Sequence, residues 1–114
     1  MKDDRLHLEH ILECLDAIRE YVTGGREVFL YDRKTRKATI RELQELAEAS
    51  QRISPALKAG HPEVPWPAIA GFRNVLVHDY LGIRFDRIWE IVERDLPPFR
   101  AAVEAMLRNL KGGC

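Results

Sequence analysis

No part of this 114-residue chain alternates apolar and polar residues long enough to make a strand, and neither Asn-Gly nor Asp-Gly occurs to turn a hairpin. That excludes the β folds. Net charge is also missing: eighteen basic residues balance eighteen acidic ones, so no whole-molecule field draws in nucleic acid or a membrane surface. Any binding to RNA must come from a local patch. Cysteine is scarce, with only Cys14 and Cys114 at opposite ends and no metal-type spacing, which excludes a disulfide scaffold and predicts free thiols. No apolar run reaches membrane length, and Met1 to His10 is too charged for a secretory signal, so a cytoplasmic protein without membrane attachment is expected. Repeats and low-complexity segments are absent as well. Residues 1–114 are expected to form one domain, with a flexible tail from about 111 to 114.

What is present is helical periodicity. Leu8, Ile11, Leu15, Ile18 and Val22 recur at three- and four-residue steps and stop at Gly24 and Gly25. A short piece around Glu27 to Tyr31 follows. Asp32 can then cap a long helix with the stripe Ile40, Leu43, Ala47, Ser50, Ile53 and Leu57, ending near Ala59 or Gly60 unless Ser54-Pro55 breaks it. Pro65 and Pro67 flank Trp66 at the start of a third main helix carrying Ile69, Phe72 and Leu76, and Gly82 breaks it after Tyr80. A fourth helix is expected from about Asp86 to Arg94, and Asp95 can cap a last segment striped by Phe99, Val103, Met106, Leu107 and Leu110, the alternative being that the two form one kinked rod. The fold class is therefore all-α, an up-and-down bundle of four to five helices.

The third helix has two busy faces. With Arg73 at zero on a helical wheel, Asn74 falls near about 100° and His78 near about 140°, while Ile69, Phe72 and Leu76 occupy roughly 260° to 320°. Singly, these polar residues read as a helix cap and an ion pair. Together they place a donor fork and an amide beside an imidazole, a set suited to a phosphodiester: arginine holds phosphate and histidine moves protons near neutrality. The mixed near face is what a contact between two copies of the chain requires.

Arg73, His78 and Tyr80 in the spacing R-x4-H-x-Y, with Trp66, the run Ile69 to His78, the Leu46 to Ala49 stretch and Leu96-Pro97, resemble the HepT branch of the HEPN superfamily from about Leu6 to Leu110. Ala47 departs from the glycine usual there. The resemblance implies a HEPN-like helical homodimer acting on tRNA or mRNA as a metal-independent endoribonuclease, the toxin of a toxin–antitoxin pair. Its catalytic residues would be Arg73, His78 and Asn74, and it would need no cofactor. Its antitoxin would be a cognate minimal nucleotidyltransferase that transfers AMP to Tyr80. The alternatives are a non-catalytic helical partner of a nucleotidyltransferase and a plain dimeric interaction protein.

Other features have simpler explanations. Arg33, Lys37 and Arg41 align along the long helix and offer an RNA-binding track, but a solvated face explains them too, with Glu45 and Glu48 available to pair with Arg41 and Arg52. His7 and His10 stand one turn apart, and no metal site is expected because nothing on that helix completes a ligand set. Cys14 reads as a small buried hydrophobe. Trp66 and Trp89 read as packing anchors.

Overall fold

A computed structural model describes the backbone of residues 2–78 and 80–112 and the side chains of residues 3–78 and 81–110. Cys114 and the Tyr80 side chain lie outside the described residues, as does the expected tail apart from the helical backbone of Lys111 and Gly112. Among the described residues every regular element is a helix, and none is long and apolar enough to cross a membrane.

Helix α1 (Lys2–Tyr21) buries the stripe read from its spacing: Leu8, Ile11, Leu15 and Ile18 are at most 4% exposed. Each such side chain stabilises the fold by about 1.5–3 kcal/mol relative to exposure. A turn follows, and Gly25 adopts φ +88°, a left-handed conformation that side chains resist, to start α2 (Gly25–Tyr31). Phe29 of α2 is fully buried against Trp89 with ring centroids 5.6 Å apart. Asp32 caps α3 (Arg33–Gln51) as expected, accepting from the Thr35 backbone N–H at 2.9 Å.

The long helix ends earlier than its periodicity predicts. It stops at Gln51, because proline at 55 drives Ser54 out of the helical region to an extended φ −62°, ψ 146°. Ser54 then caps α4 (Pro55–Ala59), its hydroxyl accepting from the Leu57 N–H at 3.2 Å. Asp4, buried at the start of α1, accepts from both the N–H and the hydroxyl of Ser54 at 2.7 and 2.6 Å. This contact and the approach of His10 to Glu45 make α1 and α3 antiparallel.

After a loop comes α5 (Trp66–His78), then a 3-10 turn at Tyr80–Gly82 and α6 (Phe85–Glu90). Of the two arrangements open at Asp95, a new cap or one rod, the structure has the rod. α6 passes through a five-residue π segment, Ile91–Asp95, into α7 (Leu96–Gly112), so Asp95 is no cap and the two form one continuous rod. The cause is Pro97 and Pro98: neither donates a backbone hydrogen bond, and the widened turn, in which the Leu96 N–H reaches the Ile91 carbonyl, absorbs the deficit. Arg100 ties α7 to α1 through Asp16 at 2.6 Å.

Candidate functional site

Trp66 anchors the start of α5. It is half-buried, its indole N–H donates to the His61 carbonyl at 3.1 Å, and proline at 67 occupies a first-turn position whose missing N–H costs nothing. Trp89 is buried too, so both tryptophans serve packing. From Trp66 the helix presents its far face to the core: Leu76 is fully buried, and Ile69 and Phe72 pack against the same cluster. The near face carries Arg73, Asn74 and His78 toward solvent, as the wheel predicts.

Arg73 is only partly exposed and is held from two sides. One terminal nitrogen donates to Asn74 Oδ1 and the other to Glu48 Oε1 of α3, each at 3.4 Å, while Nε is buried with no hydrogen-bond partner among the described residues. Both bonds are at the long end of the useful range, so the guanidinium is aimed but not saturated, and a stronger acceptor can take it over. Glu48 therefore pairs with Arg73, where the sequence suggested Arg52; the partner lies on another helix, which periodicity along one helix does not reveal.

Gln44 is the other contributor that sequence reasoning missed. Its amide donates to the Leu76 carbonyl at 3.1 Å, satisfying one of the last acceptors of α5. The pairs Arg73–Glu48 and Leu76–Gln44 make α5 antiparallel to α3, so the end of α5 bearing His78 points toward the half of α3 that carries Arg41, Lys37 and Arg33. Those cations are exposed, and Arg41 is paired with Glu45 at 3.4 Å.

His78 is the last residue of α5, exposed and one turn beyond Asn74; no hydrogen bond links it to Arg73 or Asn74 among the described residues. Arg73 and Asn74 are thus joined, and His78 stands next along the same face. Tyr80 is not on the face shared by these residues, because α5 ends at His78 and Tyr80 begins a separate 3-10 turn. Around the cluster, Val75 and Val77 are 45% and 39% exposed, and Leu81 is fully exposed. The apolar cleft of about 520 Å³ lined by Leu43, Ile69, Phe72, Leu96 and Phe99 lies on the opposite, core side of α5 and holds none of the polar cluster.

Cys14 is buried as expected, and burial, with Glu42 and Glu45 nearby, pushes its thiol up to about 12. It is no nucleophile in this setting. The reading of His7 and His10 needs correction: Cys14 stands one turn from His10 on the same helix, their side chains 3.8 Å apart.

A family model described as "Ribonuclease HepT-like" matches residues 11–106. The chain is similar to a "Putative RNase" of Caldanaerobacter subterraneus subsp. tengcongensis, 34% identical over 97% of this chain and 100% of the relative. It is also similar to a "Probable ribonuclease HepT" of Thermococcus cleftensis, 36% identical over 88% of this chain and 92% of the relative. A "Putative RNase" of Methanocaldococcus jannaschii is 34% identical over 97% and 93% of the two chains. No solved structure gives a significant match.

Proposed function

The chain belongs to the HepT-like ribonuclease family, and from that premise we propose that it is a metal-independent endoribonuclease toxin whose reacting groups are Arg73, Asn74 and His78. The observation that carries this reading is the unsaturated Arg73 fork, aimed by Glu48 and Asn74 along the face that ends in His78. In the reaction His78 removes the proton of a ribose 2′-hydroxyl, and the 2′-oxygen attacks the adjacent phosphorus. The bond from phosphorus to the 5′-oxygen breaks and that oxygen takes up a proton, leaving a 2′,3′-cyclic phosphate and a 5′-hydroxyl. Arg73 neutralises the charge that builds on the phosphate, and Asn74 steadies the guanidinium or a phosphate oxygen.

The cations Arg33, Lys37 and Arg41 support a path for the RNA backbone, because the His78 end of α5 points toward them. Exposed Val75, Val77 and Leu81, close together in sequence beside the polar cluster, support a homodimer that joins two such clusters and covers these side chains. The partner of the toxin is a minimal nucleotidyltransferase that silences it by transferring AMP to Tyr80, two residues beyond His78. The added bulk and negative charge, two residues from His78 in the chain, repel an approaching RNA phosphate. A DNA strand of the same sequence, which lacks the 2′-hydroxyl, tests the route: it stays intact under conditions that cut the RNA, and its cleavage would overturn the reading.

A further inference from the structure

The α1–α3 interface carries a second constellation that RNA cleavage leaves unused. His10 and Cys14 lie one turn apart on α1, and Glu45 reaches across from α3. His10 Nε2 is 3.4 Å from Glu45 Oε1 and 3.8 Å from Cys14 Sγ, and the ligand atoms of all three lie within 4.8 Å of one another. We propose that His10, Cys14 and Glu45 bind a zinc ion that clamps α1 to α3, with a fourth coordination position open to solvent.

Two of the three edges fit the ion, and the third, Cys14 Sγ to the Glu45 carboxylate, lies within 4.8 Å and closes by rotation of the Glu45 side chain. Bonds of about 2.0–2.3 Å from a tetrahedral zinc set its ligand atoms roughly 3.3–3.6 Å apart, so the two measured edges are within a few tenths of an ångström of the coordinated arrangement. The ligand types fit as well: imidazole, thiolate and carboxylate together form a mixed borderline set that favours zinc over the hard cations magnesium and calcium. The outer partners stand nearby. Glu13 lies 3.8 Å from the other ring nitrogen of His10, Nδ1, beyond hydrogen-bond distance but close enough to swing into the carboxylate–histidine arrangement that orients ligating imidazoles. Arg41 holds Glu45 Oε2 at 3.4 Å and leaves Oε1 facing the other two ligands. Entry is provided by a solvent-open cleft of about 220 Å³ lined by His7, His10, Glu45 and Glu48 among others. On binding, the Cys14 S–H bond breaks, its proton leaves to solvent and a sulfur–zinc bond forms, with no change of oxidation state. None of the ligands is Arg73, Asn74 or His78, and zinc uptake is read without RNA, so the site is tested apart from cleavage even though Arg41, which holds Glu45, also lies on the proposed RNA path.

The test uses the full chain with Cys114→Ser, which leaves Cys14 as the one thiol of the two in the sequence. Titration with cobalt(II) is expected to give a sulfur-to-metal charge-transfer band that one equivalent of zinc abolishes. The band disappears in Cys14→Ser. His10→Gln and Glu13→Gln change solvent-facing side chains and leave the fold intact by circular dichroism, yet each weakens zinc binding about tenfold or more. Zinc raises the melting temperature of the Cys114→Ser parent and not that of His10→Gln. Absence of the band, or zinc uptake that survives both Cys14→Ser and His10→Gln, overturns the proposal and leaves the cluster as an ion-pair network between two helices.

Discussion

Arg73 of α5 meets Glu48 of α3 at 3.4 Å, tying the cation of the site to the helix that packs beneath it. Because the pair is partly exposed and its contact long, Glu48 acts as a support for Arg73 and not as a member of the reacting set. Glu48→Gln is expected to lower kcat/KM for RNA no more than about fivefold, the kinetic equivalent of ~1 kcal/mol. Arg73→Ala is expected to lower it by about 10²–10³. Steady-state cleavage of one defined RNA measures both, and equal losses in the two variants would make Glu48 part of the chemistry.

Tyr80 is the predicted acceptor of AMP. Incubating the chain with the proposed nucleotidyltransferase partner and ATP is expected to add the mass of AMP to the parent protein and to block its cleavage of RNA. Tyr80→Phe should remain unmodified and uninhibited. Intact-protein mass spectrometry decides this, and addition of AMP to Tyr80→Phe would move the acceptor elsewhere.

The cap of α3 predicts a response to acid. Hydrogen bonds from the Thr35 side chain and backbone N–H hold the Asp32 carboxyl below the usual aspartate range. A depressed folded-state value means that the stabilisation is complete above the unfolded value and fades as pH falls through the folded one. The parent is therefore expected to lose its advantage in melting temperature over Asp32→Ala as the solution is acidified below about pH 4. An advantage that stays constant down to pH 2 would show that the carboxylate charge adds nothing to the cap.

Asp4 gives a stability prediction on the other side of the bundle. Asp4→Ala leaves the N–H and hydroxyl of Ser54 without their acceptor where α1 meets the α3–α4 break. The expected loss is about 1–3 kcal/mol in denaturant unfolding. RNA cleavage at temperatures where the variant stays folded should not change, since α5 is untouched.

The local features of the fold were legible in the sequence, and the features made by distant residues were not. The stripe Leu8, Ile11, Leu15, Ile18, the Asp32 cap and the two faces of α5 follow from three- and four-residue spacing, which the helix itself imposes. Ser54-Pro55 was visible as a weak point, but the acceptor that holds Ser54 after the stop is Asp4, fifty residues away. The π segment before Pro97 was hidden because Asp95 looks like a cap wherever a helix is assumed to restart. In the site, the joined pair Arg73–Asn74 and the neighbouring position of His78 were readable on one helix. Glu48 and Gln44 were not, because they belong to α3 and meet α5 only through the antiparallel packing. Cys14 was readable as a neighbour of His10 by its four-residue step, and Glu45 completes that cluster only in three dimensions.

The central claim is that His78 cleaves RNA with its own imidazole. The direct measurement is incubation of purified, AMP-free protein with mixed tRNA and mRNA in excess EDTA, beside His78→Ala, followed by analysis of the product ends. The account predicts 2′,3′-cyclic phosphate ends from the parent and loss of cleavage by a factor of about 10² or more in the variant, with its helix content unchanged. Equal cleavage by His78→Ala, or no cleavage of either RNA by the parent, would contradict it.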